Sequence, residues 1–86
     1  MKLRRTKRFT DAYHALPNEV QKKFNHKIKL FFENIQHPSL RIKKMQGTKN
    51  IWEGSVDHKY RFTFQIIKDE YILRNIDNHD ECLKNP

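Results

Sequence analysis

The hydrophobic period of the chain changes once, at Pro38, and that change constrains the fold more than any other feature. Before it, apolar residues recur at helical spacing: Phe9, Ala12, Tyr13 and Leu16, then Val20, Phe24, Ile28, Phe31 and Ile35. Lys22, Lys23, Lys27 and Lys29 lie off the second stripe, on the face an amphipathic helix gives to water. Pro17 separates the two runs and suits the first turn of a new helix. The residue before a proline is pushed out of helical geometry, so the second helix is expected to stop near His37.

Beyond Pro38 the spacing is that of strands. Residues 41–45 read as a strand or extended loop, 47–50 as a turn, and 51–56 as the next strand. Residues 57–59 form a tight connection. The stretch 60–67 then alternates cleanly, with Tyr60, Phe62, Phe64 and Ile66 on one face and Arg61, Thr63 and Gln65 on the other. Residues 68–70 close a hairpin onto a last strand at 71–76, and 2–7 read as a short first strand. The expected fold is α+β over 1–86 as one domain: an N-terminal strand, a two-helix hairpin and a three- to four-stranded, mainly antiparallel sheet with the helices on one face. On the other face Arg61, Thr63 and Gln65 are expected to look outward, joined by Glu53 and Ser55.

Charge narrows the partners. Residues 1–50 hold 13 basic and 3 acidic side chains, residues 51–86 hold 5 and 7, and the chain as a whole carries +8. A field of that size on so small a body favours polyanions: nucleic acid, an anionic membrane face or an acidic protein. Ten aromatic residues argue against disorder. One cysteine, Cys82, makes no internal disulfide and reads as a small buried thiol. No apolar run approaches the length of a membrane span, and the basic N-terminus lacks a signal peptide's apolar stretch, so a cytoplasmic protein is expected. His14, His26, His37, His58 and His79 fall into no zinc spacing, and there is no glycine-rich phosphate loop, so neither a metal nor a nucleotide cofactor is expected.

Two segments suggest chemistry. Arg61 opens the long central strand, and His79 and Asp80 follow the last one. Antiparallel pairing across 68–70 makes Arg61 and His79 near neighbours. An arginine beside a histidine and carboxylates supplies what metal-free phosphodiester cleavage needs: a proton acceptor, a proton donor and a fixed cation. A surface ion pair of Arg61 with Asp77 or Asp80 would use the same residues.

The runs Leu40 to Met45, Ile51-Trp52-Glu53, Tyr60-Arg61-Phe62-Thr63-Phe64 and Ile76-Asp77-Asn78-His79-Asp80, preceded by Leu16-Pro17-Asn18-Glu19-Val20, resemble the RelE/ParE superfamily of bacterial toxins along essentially the whole chain. The resemblance implies a microbial-RNase-like fold and a toxin held inactive by a cognate acidic antitoxin in a hetero-oligomer. RelE-like members cleave messenger RNA on the ribosome, whereas ParE-like members poison DNA gyrase. By the resemblance Arg61 holds the scissile phosphate, and His79 is the general acid or base. Glu53 and Ser55 stand where the RelE type has lysines, which favours a carboxylate–histidine version with Glu53 or Asp80 as the carboxylate. The aromatic residue usual near the C-terminus is absent, with Asp80 and Leu83 in its place, leaving Trp52 or Tyr60 to stack on a base. The implied reaction gives 2′,3′-cyclic phosphate and 5′-hydroxyl ends without a metal. Lys43, Lys44, Lys49, Lys59 and the second-helix lysines would hold the RNA backbone. A gyrase poison, a non-catalytic basic RNA-binding module and a toxin that has lost its activity are the alternatives.

Overall fold

A computed structural model describes residues 2–86. Strand β1 (Lys2–Arg5) leads into helix α1 (Lys7–His14) and the longer α2 (Asn18–Glu33). A single 3-10 turn, Pro38–Leu40, then opens the β region: β2 (Lys43–Lys44), β3 (Ile51–Ser55), β4 (Tyr60–Ile67) and β5 (Glu70–Asn78). A short helix, α3 (His79–Lys84), closes the chain. The five strands form one sheet in the order β1-β5-β4-β3-β2, antiparallel except where β1 runs parallel to β5.

The helical stripe packs on the sheet as its spacing predicts. Val20, Phe24 and Phe31 of α2 are buried with Phe9 of α1, Phe62 and Phe64 of β4, and Leu73 and Ile76 of β5. The rings meet edge to face, Phe24 with Phe62 at 5.4 Å and Phe31 with Phe64 at 5.1 Å, the arrangement aromatic quadrupoles favour. Gly54 makes room for this packing: a Cβ there would run into the Phe62 ring and lie 2.9 Å from Ile42 Cδ1.

Local chemistry explains the element ends. Thr6 caps α1 by accepting from Phe9 N (3.0 Å), and its hydroxyl donates to Leu73 O on β5 (3.0 Å), tying the helix to the sheet. Helix α2 ends at Glu33, earlier than the proline at 38 suggests. Asn34 leaves the helix with φ −160° and its side-chain oxygen accepts from Gln36 N (3.1 Å), a local turn that competes with another helical turn. Ile35 still packs on the core, from the turn rather than from the helix.

Two features depart from the expected sheet. The β4–β5 ladder slips between Thr63 and Phe64, where Thr63 faces Asn75 but Phe64 faces Leu73, leaving Arg74 as the extra residue of a bulge. The second departure is α3 itself. Its signal lies in the sequence: Asn78 caps it by accepting from Glu81 N (3.0 Å), Asp80 and Glu81 occupy its first turn, and Lys84 its last. That is the Asn-x-x-Glu start pattern with charges matched to the helix dipole.

Candidate functional site

Alternate residues of a strand share a face, and the register therefore lays out the side of the sheet away from α1 and α2. One cross-strand row is Lys43, Glu53, Thr63 and Asn75; the next is Ser55, Arg61 and Asp77. This face is not the open surface expected from alternation. Helix α3 packs against β4 and β5, and Cys82 on it is fully buried. The residues after α3 supply backbone acceptors: Pro86 O takes hydrogen bonds from Thr63 Oγ1 (3.0 Å) and Arg74 Nε (3.1 Å), and Asn85 O takes one from Asn75 Nδ2 (2.8 Å) and another from Arg8. Thr63 is thus completely buried, and Glu53, Ser55 and Asn75 nearly so. Thr63 and Asn75 are satisfied by the residues after α3, Ser55 Oγ by donating to Asp57 O (3.1 Å), and Glu53 by Lys43 (3.8 Å), so the expectation that these polar side chains look outward fails: polarity alone does not mark a side chain as exposed. Burial pushes the Cys82 thiol up to about 12.

Arg61 is half-buried at the edge of that roof. Its Nη1 donates to Tyr60 O (3.0 Å) and to Asp57 O, which turns the guanidinium toward the β3–β4 connection. There it lines a cleft of about 320 Å³ with Lys27 of α2, Ser39 and Arg41 beside the 3-10 turn, and Asp57 and His58. Asp57 is the one carboxylate of the lining, and its oxygens are already engaged. Oδ1 accepts from the amides of Lys59 and Tyr60 (2.8 Å each), and Oδ2 pairs with Lys23 Nζ at 3.1 Å. Burial raises its pKa, but those amides and the Lys23 ammonium outweigh burial and hold the carboxyl below its ordinary range. Among the described residues, no carboxylate stands within ion-pair distance of Lys27, Arg41 or Arg61.

The other sequence-derived candidates sit apart from this cleft. His79 N bonds Lys59 O (2.6 Å), so His79 faces Lys59 and is the diagonal neighbour of Arg61, whose direct partner is Asp77. The His79 side chain is exposed, with Nδ1 3.2 Å from Asp80 Oδ1, and Asp80 itself is almost wholly in water. Glu53 lies with its side chain only 10% exposed and 3.8 Å from Lys43 Nζ. Lys43 and Lys44 are exposed on β2, Lys49 in the turn before β3, and Lys59 next to His58. Among the described residues, no group of three His, Cys, Asp or Glu side chains is arranged to hold a metal ion, and no helix is long and apolar enough to cross a membrane. Sequence reasoning missed Arg41 and His58 as neighbours of Arg61. Counting the β2–β3 register back two residues from Lys43 sets position 41 opposite Ser55, one strand away from Arg61.

No family profile matches the sequence, and no curated protein does. Solved structures do match its fold. A YoeB/ParE toxin from Agrobacterium tumefaciens aligns with TM-score 0.76 at 16% identity over 92% of this chain and 99% of that one. YafQ from E. coli aligns with TM-score 0.78 at 8% identity over 93% and 94%. RelE from Methanococcus jannaschii, seen in a RelB–RelE antitoxin–toxin complex, gives TM-score 0.76 at 18% identity over 96% and 98%. The chain has the fold of these RelE/ParE-like toxins, matched over more than nine-tenths of its length.

Proposed function

We propose that this chain, a single RelE/ParE-like domain over residues 1–86, is the toxin of a type II toxin–antitoxin pair and acts in the cytoplasm as a metal-independent endoribonuclease on messenger RNA at the ribosome. The single observation that carries the reading is the placement of Arg61, a half-buried guanidinium on this fold whose hydrogen bonds, among the described residues, go only to backbone carbonyls, leaving its charge for a ligand. The fold likeness supports the toxin role, since its structural neighbours include antitoxin–toxin complexes. The +8 charge supports both an RNA substrate and an antitoxin whose binding segment is acidic.

In the proposed reaction the ribose 2′-hydroxyl attacks the adjacent phosphorus and the bond to the 5′-oxygen breaks. Arg61 stabilises the charge of the pentavalent phosphate. His79 or a carboxylate, Glu53 or Asp80, takes the 2′-hydroxyl proton, and His79 protonates the leaving 5′-oxygen, a task suited to an imidazole, which can both take and give a proton. The products are a 2′,3′-cyclic phosphate and a 5′-hydroxyl. Of the two carboxylates, Asp80 is open to substrate, whereas Glu53 is almost fully buried and lies 3.8 Å from Lys43 Nζ. Lys43, Lys44, Lys49 and Lys59 are all exposed and hold the RNA backbone in this reading.

The test is brief induction in bacteria followed by mapping of new 5′-hydroxyl RNA ends, with Arg61→Ala and His79→Ala alongside. New ends within translated codons are expected, with a loss on the order of a hundredfold in Arg61→Ala. Growth arrest with intact RNA and damaged DNA would sink the ribonuclease and leave a gyrase poison. Binding of RNA without arrest or cleavage would leave a non-catalytic module.

A further inference from the structure

The cleft beside Arg61 contains more cationic chemistry than one arginine needs. Lys27, Arg41 and Arg61 converge there from α2, from the segment after the 3-10 turn and from β4, and His58 joins them from the β3–β4 connection. Lys27 Nζ donates to Ser39 O (2.8 Å) and has two further protons to give; Arg41 makes no side-chain hydrogen bond among the described residues. Asp57, the carboxylate of the lining, is held by Lys23 and two amides. Like charges gathered around a concave surface repel one another unless an anion sits among them.

Backbone geometry points the same way. Arg41 is in the left-handed region, at φ 49° and ψ 47°, where it ends the 3-10 turn with its amide on Pro38 O (3.2 Å). Glycine is the usual residue at such a position, because a Cβ makes it costly. A long cationic side chain therefore occupies a site where the backbone favours none, and strain of this kind collects at ligand-binding positions.

We infer that Arg41, Arg61, Lys27 and His58 form one phosphate seat, with His58 as a hydrogen-bond donor to the phosphate of a polynucleotide held between the two arginines. The inference deepens the ribonuclease reading and rests on it for its biological sense, but binding can be measured where cleavage is absent. Arg41 and His58 are then phosphate ligands that no sequence motif marked.

The experiment follows the histidine ring protons of the full-length protein by NMR during titration at constant ionic strength. The probes are inorganic phosphate and, separately, a 2′-deoxy dinucleotide, which carries one phosphodiester and cannot be cut by 2′-hydroxyl attack. The His58 resonances are expected to move saturably with both probes while those of His14 and His26 stay still. Arg41→Gly and Arg61→Ala are each expected to weaken binding on the order of fivefold or more. Arg41→Gly relieves the left-handed strain, so its thermal midpoint should not fall, and weakened binding cannot then be ascribed to misfolding. A His58 signal that does not saturate, binding indifferent to both arginine variants, or binding of phosphate without the dinucleotide would each overturn the seat. A seat that behaves as expected in a protein that produces no new RNA ends would stand and would remove the cleavage reading instead.

Discussion

The two faces of the sheet are covered by opposite means. Toward α1 and α2, strands β4 and β5 bury Phe62, Phe64, Leu73 and Ile76 against phenylalanines of the helices, and shape and apolar area hold the layers together. On the far side the same strands bury Thr63 and Asn75, and the cover is a short helix followed by carbonyls that accept from those side chains. The first face is defined by what it excludes from water, the second by which donors it satisfies. Apolar packing stabilises in proportion to buried area, whereas a buried hydrogen bond adds little but is costly to lose one-sidedly. The helical face should therefore set global stability, and the far face should open locally and earlier.

The largest test of that contrast is Phe62→Ala, which empties the centre of the aromatic cluster. It should cost about 3–5 kcal/mol in urea unfolding, and a loss under about 1 kcal/mol would mean that the helical face is not the principal core. Cys82 reads the other face. With its thiol buried and its pKa pushed up to about 12, alkylation at pH 8 should run on the order of a hundredfold slower than for a free thiol. If α3 opens independently, labelling should nonetheless proceed in urea well below the global midpoint; coincidence of the two transitions would erase the distinction between the faces. Thr63→Val removes the donor to Pro86 O while keeping the volume, and Arg74 still serves that carbonyl. A cost of about 1 kcal/mol is expected, with faster Cys82 labelling as its signature.

The smallest effect concerns the β3–β4 connection. Asp57 titrates below its ordinary range in the folded chain, so it binds a proton less readily folded than unfolded. Its contribution to stability is present above about pH 4, the unfolded titration range, and is lost as the pH falls through the lower folded value. Lys23→Ala removes one of the groups that hold it there. Because Lys23 is more than half exposed, the change at neutral pH should stay within about 0.5 kcal/mol. A stability–pH curve that does not respond to the variant would show that the amides of Lys59 and Tyr60 suffice.

What could be read from the sequence follows the same division. The order of elements, the α2 stripe and β4 at residues 60–67 were legible because apolar periodicity records which side chains leave water. Helix α3 left only a polar signal, the Asn78–Glu81 start, which looks like a loop when no apolar stripe follows. The burial of Thr63 and Asn75 was illegible for a deeper reason: their partners are backbone carbonyls, and a carbonyl is the same in every residue. Bulging at Arg74, which lets Arg74 and Asn75 both reach the last residues, likewise has no residue signature of its own. Arg61 was legible as a candidate, but the company it keeps was not. Arg41 and His58 reach it from segments of no regular period, and only the sheet register brings them together.

The parallel pairing of β1 with β5 sets the order in which the chain can assemble. Lys2 lies opposite Glu70 and Arg5 opposite Leu73, so β1 has no strand partner until the β4–β5 hairpin, which follows it in the chain, is made. Closing so long a loop is slow compared with forming the hairpin, and β1 should dock late in refolding. During synthesis β1 leaves the ribosome before its partner and waits for β5 to be made. A nascent copy is thus an incomplete sheet with one open edge of β5, available to any strand that reaches it before its own β1 does.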